Sequence, residues 1–195
     1  SFDSHYTLPV VEKSKEELDR FDWVPYKMGR LSGASAVMMA HLSVPSLDST
    51  GTPASLSKTI IQDVLKKELK FDGLVISDAL NMKAVADRYG KSEVSVKAYL
   101  AGNDLLLYPE EIDKSIKSIV DAFHKGMITE KQINEKCRKI LRAKYYASLK
   151  NSQLQCPNDE VLEAVEIRVY EKALTVVKNE GAIPVKDALE KNLTL

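Results

Sequence analysis

The chain lacks several features that would assign it to a common functional class. Its 28 lysines and arginines are balanced by 28 aspartates and glutamates, so the chain has a formal net charge of zero. Its charge therefore favours binding neither to nucleic acid nor to another strongly charged partner. The longest apolar runs have the length of strands, and the first residues do not resemble a signal peptide. No glycine-rich phosphate-binding motif follows an apolar run. We expect no nucleic-acid partner, no membrane-spanning segment and no nucleotide-binding fold.

Cysteine is also scarce. Cys137 lies in a predicted helix and Cys156 in a loop, and neither has a second cysteine or a histidine close to it in the sequence. This spacing predicts neither a zinc site nor a disulfide framework. We therefore expect no metal and no cofactor. The 195 residues suffice for one domain with a sizeable core, and a first residue other than Met suggests a fragment or a processed piece.

Three short apolar runs alternate with helical patterns along the chain. The runs are residues 36–40, 74–76 and 105–107. A short helix is predicted to begin after a cap at Ser14, and further helices at 22–32, 57–69 with a cap at Ser57, 82–89, 92–101, 110–126, 129–149 with a capping box that begins at Thr129, and 159–178. This alternation is typical of a parallel sheet in an α/β protein, either a barrel or a doubly wound sheet. Since three strands cannot close a barrel, the remaining strands of a barrel would precede Ser1.

Asp78 is the strongest candidate for chemistry. It follows the apolar run 74–76 and Ser77, so we expect it at the carboxyl end of a buried parallel strand. Desolvating a carboxylate is costly unless it is paired, and this end of a strand is where barrel enzymes place catalytic groups. The alternative is that Asp78 caps a helix spanning residues 80–89. Both interpretations are compatible with the spacing.

Histidines supply the other candidates. Asp3 and His5 are two residues apart, so in an extended loop their side chains project to the same side. A carboxylate beside an imidazole fixes its tautomer and raises its pKa, which would give a general acid/base. The alternative is an ordinary solvated loop. His41 follows the first apolar run, where a pocket-lining or hydrogen-bonded strand-end histidine is favoured over a catalyst.

Several segments together resemble family 3 glycoside hydrolases. They are Asp3-Ser4-His5-Tyr6 and the stretches 37–41 (VMMAH), 44–48 (VPSLD), 71–82 (FDGLVISDALNM) and 101–107 (AGNDLLL). The branch they resemble most is that of the bacterial β-N-acetylglucosaminidases of the NagZ type. Residues 173–181 (ALTVVKNEG) resemble the segment that leaves the family's barrel towards a following domain.

The resemblance implies a fold and roles for individual residues. Residues 1–150 would be the C-terminal part of a TIM-type (β/α)8 barrel, and residues 151–195 a helix and linker leading to a following domain. Asp78 matches the nucleophile that forms a covalent glycosyl-enzyme with retention, His5 matches the acid/base, and Asp3 matches the carboxylate that orients it. A histidine in place of the usual second carboxylate departs from most retaining enzymes. His41 and Met39 are assigned to substrate binding.

The function implied is that of a retaining, exo-acting β-N-acetylglucosaminidase that hydrolyses terminal amino sugars, such as those derived from peptidoglycan. The family's Lys-His pair and Pro-Gly-His-Gly segment, which precede the Asp-x-His motif, are not in this sequence. The N-terminal half of the barrel is therefore an expected partner. A β-glucosidase of the same family and a non-catalytic scaffold are the alternatives. The compartment, bacterial cytoplasm or periplasm, stays open.

Overall fold

The structure is a computed structural model that describes residues 7–31, 33–150 and 158–175. The chain divides into two compact units, residues 1–150 and 151–195. What each unit does in a larger protein stays a prediction. Among the described residues, no helix has both the length and the apolar character needed to cross a membrane.

The sheet consists of two parallel strands, β1 (Ala36–Met39) and β2 (Leu74–Ser77). Ala36 pairs with Leu74, and Met39 pairs with Ser77. Because the register is parallel, paired residues lie on the same face of the sheet and successive residues on opposite faces. The carboxyl ends of both strands therefore meet at one edge.

The predicted third strand at residues 105–107 is wrong as a regular strand. Only one parallel bridge forms, between Ile76 and Leu105, and Leu107 is exposed. Side chains take the place of ladder bonds on both sides of this bridge. The Asp104 carboxylate accepts the Val75 N–H at 2.9 Å, and the Ser77 hydroxyl oxygen accepts the Leu107 N–H at 3.0 Å.

One face of the sheet is buried and the other is partly open. Val75 and Ser77 are fully buried, whereas Leu74 and Ile76 are half-buried and Met38 is 55% exposed. Within the described part of the chain, the predicted burial of β2 therefore holds for one face of the strand, and its other face is half-buried. The buried face packs on the helical segment Thr59–Glu68, which contributes Ile60, Ile61, Val64 and Leu65 to the core.

Helices account for most of the first unit. The α-helices are α1 (Lys15–Glu17), α2 (Val24–Leu31), α3 (Lys83–Tyr89), α4 (Glu93–Ala101), α5 (Ile112–His124) and α6 (Glu130–Lys150). Leu18–Asp22 and Thr59–Glu68 have the wider π-type turn, and Ala54–Leu56 forms a 3-10 turn. A ten-residue π-type segment is unusual, since such turns are mostly single bulges. No residue in the segment accounts for it.

The predicted helix starts are confirmed at three places. Ser14 and Glu17 form a reciprocal capping box, with the hydroxyl oxygen accepting the Glu17 N–H at 3.2 Å. The Ser57 hydroxyl oxygen accepts the Ile60 N–H at 3.1 Å. At α6 the Gln132 side chain accepts the Thr129 N–H at 2.8 Å. These local bonds satisfy donors that a helix leaves unpaired at its first turn.

The second unit contains helix α7 (Asp159–Ala173) among its described residues. The Asn158 side-chain oxygen caps it by accepting the Val161 N–H at 3.0 Å. The helix ends earlier than the predicted residue 178, because Leu174 already has an extended backbone. Several of its apolar side chains are exposed, among them Val161, Leu162, Val165, Ile167, Val169 and Tyr170.

Candidate active site

Asp78 lies at the carboxyl edge of the sheet, directly after β2. Its backbone N–H donates to the Met39 carbonyl at 2.9 Å, which extends the pairing of β1 and β2 by one hydrogen bond. Its side chain is half-buried, and Oδ1 accepts the Ala79 N–H at 2.8 Å. A carboxylate at this edge of parallel strands is placed where α/β enzymes bind their substrates.

The alternative assignment of Asp78, as a helix cap, does not hold. Helix α3 begins at Lys83, and Met82 occupies the N-cap position without a side-chain capping bond. The Asp78 carboxylate bonds to the next residue of its own loop instead. Because four residues separate Asp78 from the first helical residue, its carboxylate contributes nothing to that helix end and is left for another role.

His41 lies across from this loop and holds it. Its Nε2 is 3.0 Å from the Ala79 carbonyl, and its Nδ1 is 2.5 Å from the Ser55 hydroxyl oxygen. A carbonyl oxygen only accepts, so Nε2 carries the proton. In the neutral ring Nδ1 then accepts from the Ser55 hydroxyl. The side chain is 1% exposed.

The surroundings of His41 favour the neutral ring. Burial lowers the pKa of His41 below its ordinary value, and the Ala79 carbonyl and the negative charge of Asp78 offset this only in part. Both ring nitrogens bind groups of this chain. A contact of His41 with a sugar stays a prediction, and any such role would act through the loop that His41 holds.

Two further buried polar residues support the site and were not assigned a role from the sequence. Ser55 and Asn103 are both 0% exposed. The Asn103 side-chain amide donates to the Ser55 carbonyl at 2.8 Å and to the Ala98 carbonyl at 2.7 Å. The signal in the sequence was weak, since isolated Ser and Asn residues usually indicate turns. The bond from Asn103 to the Ser55 carbonyl joins residues that are 48 positions apart.

Met39 contributes its backbone to the site. Its carbonyl accepts the Asp78 N–H, while its side chain is 9% exposed and belongs to the core cluster that includes Val75. Its predicted contact with substrate stays a prediction. Asp3 and His5 lie outside the described residues, so their assignment as a general acid/base pair also stays a prediction.

The segment that follows Asp3 and His5 is tied to the same edge of the sheet. The Val11 N–H donates to the Ser43 carbonyl at 2.8 Å, and the Ser43 N–H donates to the Pro9 carbonyl at 2.8 Å. Ser43 is two residues beyond His41 and is itself buried. Residues 9–11 therefore lie beside the loop that carries His41.

Among residues 7–31, 33–150 and 158–175, no group of three or more histidine, cysteine, aspartate or glutamate side chains is arranged to hold a metal ion. Cys137 is exposed and is not part of a disulfide. The groups assembled at the sheet edge are a carboxylate, a neutral imidazole and a buried hydroxyl. They can perform nucleophilic or hydrogen-bonding chemistry.

Comparison with known proteins identifies the family. Residues 1–143 match the glycosyl hydrolase family 3 N-terminal domain. A solved family 3 β-N-acetylglucosaminidase from Paenibacillus sp. superposes with a TM-score of 0.77 and 33% identity, over 92% of this chain and 36% of that one. Beta-hexosaminidase A of Pseudoalteromonas piscicida is 26% identical over 95% of this chain and 35% of its own length.

A third relative comes from Cellulomonas fimi and is named beta-N-acetylglucosaminidase/beta-glucosidase, for two activities. It is 26% identical over 94% of this chain and 36% of its own length. The chain thus spans about a third of the length of the curated relatives it matches. The family's N-terminal domain has a TIM-barrel-type fold, and the helix-rich α/β architecture described above agrees with it. This chain belongs to glycosyl hydrolase family 3, and within that family to the NagZ-type branch.

Proposed function

We propose that the protein is a retaining, exo-acting β-N-acetylglucosaminidase and that this chain carries its catalytic groups. The observation that carries the proposal is the position of Asp78, which follows β2 at the carboxyl edge of the sheet and has one carboxylate oxygen bound to the Ala79 N–H. With Oδ1 held in this way, Oδ2 is the oxygen assigned to attack the anomeric carbon. The product of that step is a covalent glycosyl-Asp78 intermediate.

His5 is the proposed acid/base, and Asp3 orients it. The imidazolium of His5 protonates the leaving oxygen as Asp78 attacks, and the neutral ring then removes a proton from the water that hydrolyses the intermediate. The bonds between residues 9–11 and Ser43 support this assignment, because they tie the chain that follows His5 to the edge at which Asp78 lies. We further propose that this loop closes over the substrate.

Residues 1–150 are proposed to be the C-terminal part of the (β/α)8 barrel. The partly open face of the sheet supports this, because Met38, Leu74 and Ile76 present apolar surface that a closed barrel would cover. The N-terminal half of the barrel is the proposed partner for that face. Residues 151–195 are proposed as a helix and linker that lead to a following domain.

Terminal amino sugars are the proposed substrates, including those derived from peptidoglycan. Support comes from two relatives whose names specify this class, the Paenibacillus β-N-acetylglucosaminidase and the Pseudoalteromonas beta-hexosaminidase. A β-glucosidase activity is the second candidate, because the Cellulomonas fimi relative is named for both activities. The proposed His5 acid/base favours the amino sugar, since the Asp3–His5 segment resembles that of the NagZ-type β-N-acetylglucosaminidases.

Asp78→Ala tests this function in the full-length protein. Hydrolysis of a chromogenic N-acetylglucosaminide should fall by roughly 10⁶-fold, as expected when a covalent nucleophile is removed. The matched control is Asp113→Ala, which changes an exposed carboxylate at the start of α5. Parallel assays with the corresponding glucoside separate the two candidate substrates. Undiminished turnover by Asp78→Ala would reject the proposal.

A further inference from the structure

A continuous series of hydrogen bonds ends at the proposed nucleophile. It begins at the fully buried Asn103, whose amide donates to the Ser55 carbonyl at 2.8 Å. The Ser55 hydroxyl donates to His41 Nδ1, and His41 Nε2–H donates to the Ala79 carbonyl. The N–H of the same Ala79 residue donates to Asp78 Oδ1.

The series connects segments that are distant in the sequence. Asn103 follows helix α4, Ser55 lies in the turn before the segment Thr59–Glu68, and His41 follows β1. Each contributes a side chain or a carbonyl that is almost fully buried. Since hydrogen bonds among buried groups are directional and costly to leave unmade, such a series restricts the backbone on which it ends.

We propose that His41 is a positioning residue for Asp78. As a neutral Nε2–H imidazole it holds the Ala79 carbonyl, and so restrains the residue whose N–H, in the adjoining peptide group, binds Asp78 Oδ1. The proposal rests on the function proposed above, in which Asp78 attacks the sugar. His41 acts through Ala79 and does not touch the reacting atoms.

The tautomer explains why this position requires a histidine. The ring must donate at Nε2 and accept at Nδ1 at the same time, and a neutral imidazole does both in one rigid plane. The Asp78 backbone is already tied to β1 through the Met39 carbonyl. His41 adds a second attachment one residue further along, so that rotation of the Ala79 peptide groups is opposed from both sides.

Two substitutions of His41 separate this role from simple packing. In His41→Gln the side-chain amide nitrogen reaches the position of Nε2 and can still donate to the Ala79 carbonyl. In His41→Asn the shorter amide replaces only the Nδ1 side and cannot reach Ala79. Both variants are assayed in the full-length protein with a chromogenic N-acetylglucosaminide. His124→Asn, at an exposed histidine of α5, is the control.

The positioning role predicts a loss in kcat with little change in KM. His41→Asn should lower kcat on the order of 10- to 100-fold, because small displacements of a reacting group have effects of this size. His41→Gln should lose about threefold or less on the same grounds. Equal kcat values for the two variants, or a loss confined to KM, would overturn the proposal.

Ser55→Ala provides a second test that does not depend on the folding of His41→Asn. It removes only the hydroxyl that donates to Nδ1 and leaves the Nε2–H of His41 in place for the Ala79 carbonyl. As in His41→Gln, kcat should fall by about threefold or less, and a loss as large as that measured for His41→Asn would overturn the proposal. Asp78→Ala distinguishes failure of the proposed function from failure of the positioning role of His41. Retained turnover in Asp78→Ala rejects the proposed function itself, whereas an inactive Asp78→Ala with equal kcat for both His41 variants rejects only the positioning role.

Discussion

At the scale of single residues, the site depends on small polar side chains in buried positions. Ser77 is the nearest example, because it is fully buried, ends β2 and precedes Asp78. Its hydroxyl oxygen accepts the Leu107 N–H at 3.0 Å, where a regular third strand would have offered a backbone carbonyl. Ser77 therefore fixes the segment after Asp104 against β2, immediately below the proposed nucleophile.

Ser77→Ala should destabilise the protein. The Leu107 N–H would lose its partner in a part-buried hydrogen bond, and the loss of such a bond costs about 1–2 kcal/mol. Urea unfolding of the variant and of wild type gives the difference. Ser46→Ala, at an exposed loop serine, is the control and should change the free energy of unfolding little. Equal stability of Ser77→Ala and wild type would contradict this role of the hydroxyl.

Asp78 could be selected from the sequence, but the network that holds it could not. An apolar run ending in a carboxylate is a local signal, and the structure places Asp78 at the carboxyl end of a parallel strand as that signal predicted. The bonds from Ser55 and Asn103 depend on chain segments that meet only in the fold. Single polar residues at such positions carry no period or motif that would distinguish them from turn residues.

At the scale of secondary-structure elements, the carboxyl end of helix α4 is fastened by side chains from two neighbouring helices. The Lys66 ammonium donates to the Gly102 carbonyl at 2.8 Å, and the Gln62 amide donates to the Ala101 carbonyl at 3.2 Å. Lys136 of α6 donates to the Tyr99 carbonyl at 3.0 Å and also binds the Asn103 carbonyl. Cations are favoured at this end of a helix, where carbonyls lack intrahelical partners.

The burial of Lys136 predicts a pH dependence of stability. Desolvation lowers the pKa of Lys136 from its ordinary value of 10.5 to about 8, with the charge of Asp104 opposing the shift. Below about pH 8 the amine is charged in both the folded and the unfolded chain, so the full free-energy cost of burying the charge opposes folding. Between these two pKa values only the folded chain releases the proton, so the contribution of Lys136 to stability rises with pH.

Lys136→Met removes the titrating group, so wild type should gain stability relative to this variant as the pH rises from about 8 towards 10.5. Thermal unfolding across this range measures the difference, with Lys131→Met at an exposed position of the same helix as the control. A constant difference between wild type and Lys136→Met over the range would show that Lys136 keeps its ordinary pKa in the folded chain.

The element pattern was predictable to the extent that it depends on local sequence. The starts at Ser14, Ser57 and Thr129 were identified because capping bonds join residues three positions apart. A regular strand was predicted at residues 105–107 and does not form, because Asp104 and Ser77 divert two of its ladder bonds to side chains. The π-type turns of Leu18–Asp22 and Thr59–Glu68 were also missed, since their apolar residues fit an α-helical period equally well.

At the scale of the whole molecule, the sheet has one face covered by its own helices and one face partly open. Met38 is 55% exposed on the open face, although methionine is usually a core residue. Under the proposed architecture the N-terminal half of the barrel covers this face in the full-length protein. The same side chain would then be exposed in the isolated chain and buried in the complete barrel.

Met38→Lys measures this difference. In the full-length protein the substitution should cost roughly 3–5 kcal/mol, because it would bury an unpaired charge. In the isolated 195-residue chain the cost should be within about 0.5 kcal/mol, as for other exposed sites. Asn134→Lys, on an exposed position of α6, should be neutral in both contexts. Equal costs of Met38→Lys in the two contexts would contradict the half-barrel architecture.

The central claim is that Asp78 forms a covalent bond with the sugar, and trapping the intermediate tests it most directly. A fluorinated amino-sugar substrate that slows hydrolysis of the intermediate is incubated with the full-length protein, which is then digested and mapped by mass spectrometry. We expect one added sugar on the peptide containing Asp78, and none in Asp78→Ala. A sugar attached to any other residue, or turnover without a covalent intermediate, would contradict it.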